Sequence, residues 1–566
     1  MPCATSLHAS LLTRLDRLGS VRHVAQIGAA IGREFPYALL HAVSRLPEDE
    51  LQSALARLVA SELVSQRGTP PEAVYTFKHA LVQDAAHDSL LRNARRQLHV
   101  QIAEALETHS PELMDSQPEI FAQHYAEAGL DEPAMEWWRK AGSQALRRST
   151  FKEAAAHLGR AIELADKLAA TAPSAAPTSN RLHLQISLGN ALIWAKGYPA
   201  PETRAAFARA RELANRAEDA SDRFSAYYGL FSGHHTRCEP APMREMADLF
   251  LREATAQPDC LEALIAHRVS GTKCLYFGDF ADAHEHFHKT VELYDRARHG
   301  DFANRFGTDP RVVAELQDAL TRWVLGRVDE GLGLADRALA EAKSAAHAPT
   351  MATALEHAAR LGLLRYSRET VATYSLALAD TLSCYDLPAY YAGWVAFFQG
   401  WAKWPDGAEE SRLAEMRRGL AIEREQGFGL HLPSLEAALA EAEASAGKTE
   451  AALRRLDDAL TELERTEQRR YEAEMHRIRA EILLKRDPAN TAAAEEALQA
   501  AIAVAQSQKA RSFELRAALA LAKLYRGVTR DPDAHAALAP AVEGFPPTEQ
   551  FPELAEAQTL LSALNP

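Results

Sequence analysis

The sequence predicts an all-α fold, an α-solenoid of stacked helical hairpins preceded by a small module of a different kind. Three observations lead there. The 566 residues are 47% hydrophobic but only 7% aromatic, and Ala and Leu carry most of the apolar count, which is helix-forming composition. Turn-forming residues recur at a fixed interval: Gly326, Ser367, Gly407, Gly447, Asp487 and Gly527 are separated by 41, 40, 40, 40 and 40 residues. Residues 1–110 do not follow that interval.

The segments after these turns are also alike. After Gly447, the small residues Ala452 and Ala459 flank the large Leu456 on one helix face. Gly278, 48 residues before Gly326, gives Ala283, Phe287 and Thr290 at the same offsets, with a loop insertion expected around His299 to Asp309. Gly326 gives Gly331, Ala335 and Ala338, and Ser367 gives Ala372, Leu376 and Ala379. After a turn lengthened by two residues, Asp487 gives Ala494, Leu498 and Ala501, and Gly527 gives Ala534, Leu538 and Ala541. Gly407 conforms only in part, through Arg412, Met416 and Gly419.

Small residues at fixed positions let paired helices approach closely. The helix expected over Glu450–Glu464 shows Leu453, Leu456, Leu460 and Leu463 on one side, and the preceding one has Leu432, Leu435 and Leu439 with Pro433 in its first turn. A hairpin cannot bury such a face alone, so hairpins must stack, about ten of them between Ile120 and Pro566. Bulky residue, turn, then small–large–small is a tetratricopeptide-like pattern. The array is assigned to 111–566, with a mobile break expected at 169–180, where Ala, Pro, Ser and Thr dominate.

In the first module, helices are expected over Leu7–Leu18, Val21–Ile31, Tyr37–Val43 and Glu48–Leu63. A Gly-Pro turn at Arg67–Glu72 comes next, flanked by two short strands, the second ending at Val74-Tyr75-Thr76-Phe77. Helices and then a hairpin is the element order of a winged helix, assigned here to residues 1–110. A DNA-reading module concentrates positive charge on its recognition helix. This one holds 11 Lys/Arg against 11 Asp/Glu, and its candidate helix carries Glu48, Asp49, Glu50 and Glu62 against Arg57 alone.

Three stretches carry a family resemblance: Leu7–Gly19, with Arg14-Leu15-Asp16-Arg17-Leu18 at its centre, Ala25–Phe35 and Phe77–Ala86. Ala195–Glu202, Glu472–Arg477 and Ser512–Ala518 extend it over nearly the whole chain. They resemble the region after the ATPase module in bacterial regulators that join a class III adenylate/guanylate cyclase, a signal-transduction AAA-type ATPase and a tetratricopeptide arm. The chain starts just before the first stretch and contains no GxxxxGK[ST] phosphate loop. The closest match, Ala442–Thr449, has Ala where the first Gly is required. The resemblance therefore implies a regulatory arm without its catalytic head. It also implies that His79, in Phe77-Lys78-His79, reaches the phosphate of nucleotide bound by an ATPase module on another polypeptide.

Other chemistry-bearing patterns have simpler readings. His284-Glu285-His286-Phe287-His288 satisfies HExxH, the zinc-protease helix motif, but lies in the second helix of a hairpin without a third ligand in view. His234-His235-Thr236-Arg237-Cys238 fits no four-ligand spacing. No nucleophile-elbow GxSxG is present, and Gly28 to Gly32 reads as close helix packing. No catalytic residue, metal or cofactor is assigned. Tyr390, Trp394, Phe398 and Trp401 recur at i, i+4, i+8 and i+11, the spacing of core packing or, on a concave face, of an aromatic groove for a partner.

Five cysteines without a CxxC pair read as reduced thiols. The N-terminus lacks a basic region followed by an apolar one, and the most apolar stretch, Tyr390–Trp404, is too short to span a bilayer. A net charge of −14, all of it on the array, points away from nucleic acid. The expectation is a cytoplasmic, non-enzymatic regulator that binds a protein or small effector and acts on an ATPase or cyclase module. The alternatives are a DNA-binding regulator or a fragment of an ATP-dependent cyclase.

Overall fold

The structure, a computed structural model, describes residues 19, 21–171, 177–214, 220–257, 259–404 and 409–564. The expected helix Leu7–Leu18, Cys3, the Gly407 turn and residues 172–176 of the expected break lie outside them. The chain divides into two compact units: residues up to Ala145 with Ala156–Leu184, and Leu146–Ala155 with Gln185 onward.

The first unit opens with helices Val21–Ile31, Tyr37–Ser44 and Glu48–Ala60 around a small antiparallel sheet. Strand β1 is Glu34–Pro36, β2 is Val64–Arg67 and β3 is Val74–Phe77, in the order β1-β3-β2. The β2–β3 hairpin pairs Val64 with Phe77 and Arg67 with Val74, a wing-like element after three helices. Strand β1 goes beyond the sequence expectation. It is three residues long and ends in proline, which an edge strand tolerates. Its Phe35 is fully buried, 5.8 Å from the Tyr75 ring and 5.4 Å from that of Phe77. A side chain at Gly28 would collide with Phe35, its Cβ lying 2.8 Å from Cζ. The third helix stops at Ala60 rather than Leu63, because Glu62 turns left-handed (φ 59°) and delivers the buried Leu63 to β2.

Further along this unit, helices Arg92–His109 and Pro118–Ala128 bring His99 and His124 together in the interior, Nδ1 to Nδ1 at 2.9 Å. Burial, with His124, His87 and Arg95 close by, holds His99 down to about 3, and burial holds His124 down to about 4. Unfolded histidine titrates near 6.5. The unfolded chain therefore takes up these protons first as pH falls, and the stabilisation present above that value is lost below it. Between pH 7.5 and 5 the loss is expected to be about 2–4 kcal/mol. Hydrogen exchange of the amides in these two helices, corrected for intrinsic rates, should show it. In His124→Gln the loss should shrink by about half.

The second unit is a solenoid of repeated helical hairpins. Ala263–Phe277 pairs with Phe280–Leu293, Pro310–Val324 with Val328–Ser344, and Ala348–Leu364 with Arg368–Cys384. Tyr390–Ala402 then pairs with Glu409–Glu425, Leu432–Ser445 with Thr449–Thr466, Glu472–Arg486 with Thr491–Ser507, and Arg511–Gly527 with Asp531–Val542. No described helix is long and apolar enough to cross a membrane.

A left-handed residue between paired helices sets the register. Gly278 (φ 84°), Gly326 (φ 87°) and Gly447 (φ 79°) take this conformation, which glycine adopts without a Cβ penalty. Five, nine and twelve residues later come buried positions: Ala283, Phe287 and Thr290 after the first, and Ala452, Leu456 and Ala459 after the third. At Ser367 the expectation needs correction. There the left-handed residue is Tyr366 (φ 56°), while the Ser367 hydroxyl accepts from the Thr370 amide and caps the next helix. The packed face is accordingly Val371, Ser375 and Leu378, and Leu376 is 56% exposed. The lengthened turn after Gly527 has the same cause, since Gly527 still belongs to its helix and Thr529 (φ 60°) is the left-handed residue.

The small positions bring backbone against backbone. A Cβ at Gly331 would lie 2.6 Å from the Ala319 carbonyl oxygen, and one at Gly419 2.5 Å from that of Gly393. Two hydrophobic cores run through this unit. One centres on Phe250, Tyr276, Phe306, Tyr390 and Phe397, the other on Trp323, Leu456, Leu498, Phe513 and Phe551.

Candidate functional site

The first helices of successive hairpins line a recess in the second unit. Helix Ala220–Thr236 contributes Tyr228, Phe231 and His235, and Ala263–Phe277 contributes Arg268 and Thr272. Gln317 comes from Pro310–Val324, and Thr353, Glu356 and His357 come from Ala348–Leu364. Tyr390, Tyr391 and Trp394 come from Tyr390–Ala402, with Trp194, Phe428 and His431 completing the wall. The aromatic rings are packed on one another. Trp194 and Tyr391 stack at 6.4 Å, Tyr390 and Tyr391 at 4.7 Å, and Tyr390 and Phe428 at 4.6 Å.

Part of this wall belongs to a buried charge network. Glu356 sits 3.1 Å from Arg360 Nε and 2.7 Å from His357 Nδ1. His431 Nδ1 faces Arg360 Nη1 at 2.8 Å and also Arg470 Nη2. Two guanidiniums can only donate, so His431 accepts as a neutral imidazole. Burial and both cations hold it well below its usual range. Burial, with Arg360 nearby, brings Arg470 down to about 10. Burial pushes Glu356 upward, but Arg360 and His357 outweigh it and hold the carboxyl below its ordinary value.

Arg268 is placed differently. Its side chain is 5% exposed, its guanidinium lies 4.9 Å from the Tyr228 ring centroid, and Nη1 reaches Thr308 Oγ1 at 3.5 Å. Its Nε and Nη2 have no hydrogen-bond partner among the described residues. The same holds for the indole nitrogen of Trp194.

A second recess is lined by residues that include Tyr366, Trp401, Glu441, Tyr471 and Glu474. The Tyr366 hydroxyl lies 3.2 Å from Glu441 and accepts from Arg477 Nη2 at 2.6 Å. Arg477 and Arg516 both meet Glu474, at 3.1 and 3.3 Å. Arg516 also reaches Glu553 at 2.7 Å and donates to the Leu364 carbonyl at 2.9 Å. Nearby, Glu443 joins three successive helices through Arg417 at 2.8 Å and Arg455 at 2.9 Å.

The aromatic stripe of the sequence is thus divided. Tyr390 and Trp394 line the first recess, Trp401 lines the second, and Phe398 is fully buried and lines neither. His79 is exposed at the N-cap of helix Ala80–Asp88, where its carbonyl accepts from the Val82 amide. The candidate recognition helix Glu48–Ala60 exposes Glu48, Asp49 and Glu50 beside Arg57.

Within HExxH, His284 bonds Asp318 at 2.7 Å, and Asp318 is also held by Arg322 at 2.8 Å. His288 turns to Glu292 at 3.3 Å. His234 and Arg237 both engage Glu239, which their hydrogen bonds, led by Arg237, lower to about 2 against the upward push of burial. Among the described residues no group of three or more His, Cys, Asp or Glu is placed to hold a metal.

Sequence reasoning did not find Arg268, Glu356 or His431. A signal existed: acidic residues recur inside apolar helices at Glu315, Glu356, Glu436, Glu474 and Glu514. In a linear reading each looks like one more solvated carboxylate.

No protein-family profile matches the chain. An uncharacterized protein of Rhizobium meliloti (strain 1021) is 26% identical over 530 residues, 91% of this chain and 50% of that protein. The chain thus spans half the length of this relative. Among solved structures, a Rap protein complexed with competence and sporulation factor is similar at 12% identity and a TM-score of 0.47, covering 69% of this chain and all of that one. The anaphase-promoting-complex assembly Cut9–Hcn1 matches 99% of this chain and 98% of that one at 13% identity and a TM-score of 0.44. A signal-transduction ATPase with a tetratricopeptide repeat sensor, from Pyrococcus horikoshii, matches 74% of this chain and 65% of that one at 10% identity and a TM-score of 0.33.

Proposed function

We propose that this chain is a non-enzymatic regulatory arm in which the second unit binds a protein segment or small effector and thereby regulates an ATPase or cyclase module. The observation that carries this reading is the aromatic recess. Arg268 Nε and Nη2 and the Trp194 indole nitrogen are buried without hydrogen-bond partners among the described residues, as in a site built to receive something. The resemblance of Ala25–Phe35 and Phe77–Ala86 to the region after a signalling ATPase supplies the regulated module. In the same reading the exposed His79 presents its imidazole to nucleotide phosphate held by that module.

The test begins with cross-linking and affinity capture of the full chain, then ATP-turnover assays on any recovered ATPase or cyclase polypeptide. Wild-type chain is expected to change turnover at least twofold. Thr353→Trp, which fills the recess, should abolish the change, and His79→Ala should weaken it. Turnover that is indifferent to the wild-type chain, or capture without any such polypeptide, would sink the proposal.

A further inference from the structure

A guanidinium taken out of water normally finds a carboxylate or several acceptors, because its five donors are costly to leave unsatisfied. Arg268 has a weak contact with Thr308 and the face of Tyr228, and nothing on Nε or Nη2. Those two nitrogens form one edge of the planar group, with parallel N–H bonds suited to the two oxygens of a carboxylate. Arg268 lines the recess, and these two nitrogens are enclosed beside it, so a ligand reaches them when the side chain turns this edge toward the recess. The carboxylate nearest in kind, Glu356, is already engaged by Arg360 and His357.

We infer that the recess binds a small monocarboxylate with an aromatic or apolar body, its two oxygens accepting from Nε–H and Nη2–H of Arg268. The inference rests on the reading of the recess as a ligand site and adds the chemical class of the ligand. Charge complementarity sets that class. Among the described residues Arg268 is the one Arg in the lining and no Lys is present, while Glu356 is already paired with Arg360, so a single cation is free for the ligand and a phosphate dianion would be under-compensated. The rings of Trp194, Tyr228, Tyr391 and Trp394 supply flat apolar walls for the ligand's body.

Calorimetry on the full chain with 3-phenylpropionate, 3-phenylpropionamide and phenyl phosphate tests it. The acid is expected to bind at least tenfold more tightly than the amide, and at least as tightly as the phosphate. In Arg268→Met the acid's advantage should vanish. That variant should also melt above the wild type without ligand, because a buried cation without a counter-charge has been removed. A purely structural role for Arg268 would lower its melting temperature instead, and that result overturns the inference. So does equal binding of acid and amide to the wild type, which would leave the recess as a neutral-ligand site and the regulatory proposal intact. Tenfold tighter binding of phenyl phosphate would replace the carboxylate class. Absence of binding by all three probes overturns the inference, while the turnover assay decides the regulatory reading independently.

Discussion

Glu356→Gln is expected to destabilise the second unit by about 3–5 kcal/mol, seen as a lower urea midpoint for its unfolding transition. The substitution keeps the shape and removes only the charge. Arg360 then loses its carboxylate at 3.1 Å, and Arg470, sharing His431 with it, loses a compensating charge. Two cations would remain in a site that excludes water, which costs more than the original pair contributed. Combining Glu356→Gln with Arg360→Met should recover part of the loss, since one stranded cation is then gone. A double variant as unstable as the sum of the two single ones would show that the groups are not coupled.

Trp323→Ala should cost a similar amount, about 3–5 kcal/mol, by a different route. Trp323 is fully buried, with Phe551 at 5.4 Å, Phe513 at 6.1 Å and the Arg516 guanidinium 4.9 Å from its ring. Truncation leaves a cavity where helices Pro310–Val324 and Arg511–Gly527 meet, and it deprives Arg516 of its aromatic face. Trp323→Phe should lose clearly less. Trp323 and Glu356 have no partner in common and sit in separate packing regions, so their effects should add to within about 0.5 kcal/mol. Thermal melts of the single and double variants check both statements.

The hairpins were legible because helix periodicity and left-handed glycines are local properties. Gly278, Gly326 and Gly447 mark turns whose register could be counted forward without knowing any neighbour. The count slipped at Tyr366 because a non-glycine residue adopted the same conformation there, and composition does not announce that. Strand β1 escaped because Phe35 is held by pairing with Tyr75, a contact 40 positions away. The aromatic stripe Tyr390–Trp401 was visible as a period, but its division between two recesses depends on which neighbouring hairpins supply the opposite wall. Buried charges were the least legible. Glu474 and a solvated glutamate look identical until Arg477 and Arg516 are seen converging on it.

The convergence of charges from different hairpins bears on how such an array can change over generations. Repeats of equal length invite recombination that duplicates or deletes a whole unit, and the apolar faces alone would accept the new neighbour. Here Glu443 is met by arginines from the helices on both sides, and Arg516 reaches Glu474, Glu553 and the Leu364 carbonyl at once. Deleting the unit Glu472–Ser507, for example, would remove Glu474 and leave the buried Arg516 without one of its carboxylates. The hairpins that carry these ions are therefore keyed to their neighbours by ionic matching in addition to the generic fit of alanine against leucine.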